Sequence, residues 1–141
     1  MVLWAGLAAT TSGRTASPSQ SPTPVWDGVY TEEQAKRGQE TYTTSCGGCH
    51  RDNLSGGDEG QPPLTGVFFI AHWNGTTLGD LFAKIARDMP ESSPGSLSPR
   101  AYADVLAFLL KSNRMPAGQT ELPPNPERLN SILLTESPSR R

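Results

Sequence analysis

The chain has 141 residues, a formal net charge of -2, 35% hydrophobic residues, 14 glycines and 13 prolines. Its length fits one domain with tail to spare, and its apolar content is a thin supply of core for that domain. Mild acidity excludes a general nucleic-acid binder, two cysteines exclude a disulfide framework, and the lack of 18 consecutive apolar residues excludes a membrane span in the mature form.

From the N-terminus, Val2 to Ala9 is a short apolar run followed by "TTSGRTASPSQSPTP". The run is too short for a membrane helix and resembles the end of a secretory h-region, although it lacks a basic n-region. Residues 1–24 therefore read as an export-signal remnant and a flexible linker. The first cysteine is Cys46, so no lipid-anchor thiol lies near it. Order is expected from Val25. Thr31 and Gln34 form a capping-box pattern ahead of a helix over residues 32–45, with Ala35, Gly38 and Tyr42 on one face.

Residues 51–66 carry four glycines and two prolines and read as an irregular loop. "VFFIAHW" is expected to be a short helix. Thr77 and Asp80 open the next helix, whose stripe is Leu78, Leu81, Phe82 and Ile85. Pro90 stops that helix by Met89. After the loop "ESSPGSLS", Ser98 and Pro99 start a helix that buries Tyr102, Val105, Leu106, Leu109 and Leu110. Beyond Asn113 the tail is Pro-rich, with Leu129, Ile132 and Leu133 as its only expected anchors, and residues 135–141 read as disordered. The pattern is all-α, three to four helices separated by long loops. Loops that long need a surface to pack on, and a large prosthetic group supplies one.

The stretch "SCGGCH" holds both cysteines and one of two histidines. A pair C-x-x-C has three common uses. Structural zinc needs four ligands, and only His50 and His72 could join Cys46 and Cys49. A redox dithiol sits at a helix start after a strand in a βαβ pattern, whereas this pair follows a helix. C-x-x-C-H is the attachment motif of covalent haem: both thiols join the porphyrin vinyl groups and the adjacent imidazole lies under the iron. Haem is the favoured reading; a zinc or dithiol module is the alternative.

With their neighbours, "GQETYTTSCGGCH", "PPLTG", the tryptophan at 73, "DMP" and "LSPRAYADVLAFLLKSN" make residues 25–134 resemble class I c-type cytochromes. The likeness is strongest to small bacterial cytochromes and to the cytochrome domains of quinoprotein alcohol dehydrogenases. The resemblance implies a small class I cytochrome c fold around one haem c, joined through Cys46 and Cys49, with His50 as proximal ligand. It implies that the Pro62 carbonyl accepts the His50 N–H, that Leu64 packs on the haem face and that the Trp73 N–H reaches a propionate. A plain loop and a core tryptophan are the structural alternatives for these last roles. Gly38 would allow the last helix to cross closely, with Tyr102 packed at the crossing, and His72 is a surface residue.

Met89 stands where the family has its distal ligand, and it ends a helix before an eight-residue loop, Pro90 to Leu97. Met115, His72 or no distal ligand at all are the alternatives. The implied protein is a periplasmic or otherwise exported single-electron carrier, not an enzyme. Its donors and acceptors would be redox proteins, a quinoprotein dehydrogenase or a terminal oxidase among them. A five-coordinate haem that binds a gas or peroxide is the second reading.

Overall fold

Helix α1 (Glu32–Ser45) starts where Thr31 caps it, the threonine hydroxyl accepting the Gln34 amide at 3.1 Å. The chain is seen here in a computed structural model that describes residues 21–138; the apolar run Val2–Ala9 and residues 139–141 of the tail lie outside them. The reciprocal half of the expected capping box is absent. Gln34 turns inward instead, its Nε2 donating to the Leu122 carbonyl at 3.1 Å while the Leu122 amide donates to its Oε1 at 2.8 Å. Capping would satisfy one exposed amide, whereas the inward turn satisfies two buried backbone groups, so the tail wins this side chain.

The other helices begin and end on similar local chemistry. One turn, α2 (Gly47–His50), follows α1 directly. Then come α3 (Gly66–Trp73), α4 (Leu78–Asp88), α5 (Pro99–Ser112) and a single turn α6 (Pro126–Leu129). A full capping box opens α4: the Asp80 amide donates to the Thr77 hydroxyl at 3.1 Å and the Thr77 amide to the Asp80 carboxylate at 2.9 Å. At α5, the Ser98 hydroxyl accepts the Ala101 amide at 3.2 Å and Pro99 takes the first helical position. Residues 51–65 are irregular, as their glycines and prolines require. Among the described residues no helix is long and apolar enough to cross a membrane.

Helices α1 and α5 cross at Gly38. A Cβ there would overlap the Asp104 carbonyl and crowd Phe108, so only glycine admits this approach. Arg37 fastens the crossing with two bonds to the buried Asp104, both 3.0 Å, and a third to Glu121 at 2.9 Å. The aromatic packed on Tyr42 is Phe108, with ring centroids 5.1 Å apart. Tyr102, which the resemblance places at this crossing, lies instead edge-on to Phe82 at 6.3 Å. The reason is angular: Tyr102 is about 200° around α5 from Asp104, on the face turned to α4.

The tail is held at more points than Leu129, Ile132 and Leu133. Leu129 and Ile132 are buried, Leu133 is half-buried, and Met115, Leu122 and Leu134 are buried too. Strand β2 (Ile132–Leu133) pairs in parallel with β1 (Thr23–Pro24), which leads into a 3-10 turn at Val25–Asp27. The Trp26 indole N–H then donates to the Thr135 carbonyl at 2.9 Å. Single leucines spaced between prolines show no periodicity, and their burial depends on what the tail meets as it wraps back.

Candidate functional site

Cys46 is the joint between α1 and α2. Its amide closes α1 on the Tyr42 carbonyl at 2.8 Å, and its carbonyl accepts the amides of Cys49 at 3.2 Å and His50 at 3.0 Å. One turn of helix thus carries Cys49 and His50 away from Cys46. Both thiols are free; Cys46 is half-buried and Cys49 exposed. The His50 side of that turn faces inward, and His50 is 7% exposed.

After His50 the chain reverses sharply. Arg51 and Leu54 adopt positive φ, 64° and 60°, a conformation that side chains rarely take unless the surroundings hold it. Here the holding bonds are visible. The Arg51 carbonyl accepts the Tyr42 hydroxyl at 2.8 Å and the Leu54 amide at 3.0 Å; the His50 carbonyl accepts the Gly56 amide at 3.1 Å. Farther on, the Gly57 amide meets the Gln61 carbonyl at 3.1 Å and the Leu64 amide meets the Leu54 carbonyl at 2.9 Å. Asn113, at the end of α5, donates to the Leu64 carbonyl and accepts from the Gly66 amide, both at 3.0 Å. This tied loop offers the Pro62 carbonyl to His50 Nδ1 at 3.2 Å. A neutral imidazole that donates from Nδ1 keeps its lone pair at Nε2 and is held in one orientation.

Leu64 is half-buried and packs against both the main apolar cluster and a smaller one formed by Tyr42, Leu54, Val105, Phe108 and Leu109, as does Ile85; Cys46 packs against the smaller one. Trp73 is half-buried at the end of α3 beside the exposed His72, their rings 5.1 Å apart. Met89 is the half-buried C-cap of α4, and its carbonyl accepts the Tyr102 hydroxyl at 2.7 Å. Met115 is 2% exposed inside the main cluster. The structure thus joins Cys46, Cys49, His50, Pro62 and Leu64 through one turn and one loop, while Trp73 and Met89 come from separate helices. Sequence reasoning missed the hydroxyls of Tyr42 and Tyr102 and the amide of Asn113. The available signal was a tyrosine or asparagine at a helical position where an apolar residue or plain cap would serve.

The donor chemistry narrows the use of this turn. Among the described residues no group of three or more His, Cys, Asp and Glu could hold a metal ion, which leaves structural zinc short of ligands. Burial, and after it the charge of Cys49, pushes the Cys46 thiol up to about 11, opposite to the lowered value a redox dithiol needs. Two free thiols on one turn, a buried imidazole committed at Nδ1 and half-buried apolar residues alongside fit a covalently held haem.

A mostly helical fold built on a C-x-x-C-H turn defines a class I c-type cytochrome. The family described as "Cytochrome C oxidase, cbb3-type, subunit III" matches residues 33–109, more than half of the chain, and the chain belongs to that family. Membership implies covalently bound haem c and a role in electron transfer. Among solved structures, the sulfane dehydrogenase SoxCD from Paracoccus pantotrophus is similar in fold, at 23% identity and a TM-score of 0.51. The match covers 86% of this chain and 66% of the SoxCD chain. No curated protein sequence matches the chain.

Proposed function

We propose that the protein carries single electrons on one haem c, attached through Cys46 and Cys49, with His50 and Met89 as axial ligands. The observation that carries this reading is the buried His50 ring, fixed by the Pro62 carbonyl at 3.2 Å. Bound haem supplies a one-electron ferric/ferrous couple. His50 presents Nε2 while its Nδ1–H remains on Pro62, a bond that raises the basicity of the ligating nitrogen. The Met89 thioether is a soft donor whose pairing with histidine raises the reduction potential. Leu64 and Ile85 exclude water, which disfavours the more charged ferric form. The Trp73 indole N–H would donate to a propionate of the bound group. Met115 is already packed in the main core, which supports Met89 as the distal ligand.

With His50 and Met89 both serving as iron ligands, no position would remain for a substrate, which supports a carrier rather than an enzyme. It works outside the cytoplasmic membrane, in the periplasm or an equivalent exported location, with redox proteins as donors and acceptors. The matched family is described by a terminal oxidase subunit, which supports an oxidase as acceptor. A quinoprotein dehydrogenase fits as donor. Val67 and Phe68, exposed on α3 a few residues from Leu64, give such partners an apolar surface.

Expression in a host competent for c-type maturation tests the proposal. The reduced protein in alkaline pyridine is expected to give a c-type spectrum, with one iron per chain. A protein without that spectrum overturns the haem reading, and carbon monoxide binding to the reduced protein at neutral pH overturns the six-coordinate one.

A further inference from the structure

The loop between α4 and α5 begins at Met89 and ends at Leu97, and residues 91–96 are exposed. Its internal bonds are local: Ser93 to the Pro90 carbonyl at 2.8 Å, Ser96 to the Ser93 carbonyl at 3.2 Å and Gly95 to the Met89 carbonyl at 3.4 Å. One side chain reaches both ends. The Tyr102 hydroxyl donates to the Met89 carbonyl at 2.7 Å and accepts the Leu97 amide at 3.4 Å. Tyr102 is 3% exposed and its ring is fixed edge-on against Phe82. The hydroxyl is therefore a rigid anchor, carried by a buried helix, for a loop that has no apolar anchor between its ends.

We propose that Tyr102 is the positioning residue for the distal ligand: its hydroxyl holds the Met89 backbone where the thioether can reach the iron. This rests on the reading of Met89 as ligand. The methionine–iron bond is readily displaced by other ligands, so its persistence depends on how firmly the backbone presents the sulfur. Removing one neutral hydrogen bond should change the open-to-closed ratio about three- to tenfold. The described residues include a matched control. The Tyr30 hydroxyl, also buried, donates to the Met115 carbonyl at 2.6 Å.

The test uses the haem-loaded full chain, Tyr102→Phe and Tyr30→Phe. Phenylalanine keeps each ring and its packing. Two quantities are read: the far-red charge-transfer band of thioether-ligated ferric haem, and the apparent affinity of the ferric protein for imidazole. Tyr102→Phe is expected to bind imidazole about three- to tenfold more tightly and to lose its band at lower imidazole. Tyr30→Phe is expected to match the wild type in both. Equal affinities in Tyr102→Phe and wild type overturn the inference while leaving Met89 as ligand. So does an equal rise in both variants, which is general softening. A wild-type protein without the band overturns the Met89 reading and this inference with it. Amide exchange in the wild-type protein needs no variant: protection at Leu97 supports the anchor, and exchange there as fast as in free peptide overturns it.

Discussion

Gln34 and Leu122, 88 residues apart, exchange two hydrogen bonds through one side chain, 3.1 Å from Nε2 to the carbonyl and 2.8 Å from the amide to Oε1. This pair sews the Pro-rich tail to the first turn of α1. Gln34→Leu leaves both Leu122 backbone groups buried without partners. The expected loss is about 2–4 kcal/mol, measured by urea unfolding of the haem-loaded protein. A loss under about 0.5 kcal/mol would mean that the tail contributes nothing here.

Gly38→Ala should be destabilising although alanine favours a helix by about 1 kcal/mol. The added Cβ meets backbone, the Asp104 carbonyl, which cannot swing aside as a flexible side chain would. Overpacking of this kind costs about 1–3 kcal/mol net, seen as a lower thermal midpoint. An unchanged or raised midpoint would show that α1 and α5 separate without penalty.

Asp80 should contribute to acid sensitivity. Its carboxylate accepts the Thr77 amide at 2.9 Å and the Thr77 hydroxyl at 2.8 Å, and these bonds, the backbone one first, hold its pKa below the usual carboxylate value. A carboxyl with a depressed folded pKa stabilises the fold above its unfolded value, about 3.9, and loses that contribution as pH falls through the folded value. The stability gap between wild type and Asp80→Asn should be widest near neutral pH and close in acid. Urea titrations at several pH values read it, and a gap independent of pH would contradict the assignment.

The two methionines should separate cleanly. Met89→Ala is expected to abolish the far-red band, lower the reduction potential and admit carbon monoxide, because the half-buried thioether at the end of α4 is gone. Met115→Ala removes a side chain from the main core and should cost about 2–5 kcal/mol with the band intact. A band that survives the first change and vanishes in the second would reverse the ligand assignment.

What could be read from the chain alone was whatever acts within one helical turn. Thr31, Thr77 and Ser98 mark helix starts because a hydroxyl satisfies an amide two or three residues ahead, whatever the rest of the molecule does. Pro90 ends α4 for an equally local reason. The C-x-x-C-H turn needs no fold to be recognised, because its chemistry lies in consecutive residues. Tertiary structure decided the rest. Gln34 had a local partner and a distant one, and burial of Leu122 chose between them. Tyr102 and Phe108 are both aromatic positions of one helix, and only the angle at which α5 meets α1 and α4 sends one to Met89 and the other to Tyr42. Pro62 meets His50 because Tyr42, Asn113 and two positive-φ residues hold a glycine-rich loop that could otherwise take many paths. Local hydrogen bonds are specified by spacing along the chain. Burial and long-range pairing are specified by which surfaces remain to be covered once the helices have packed.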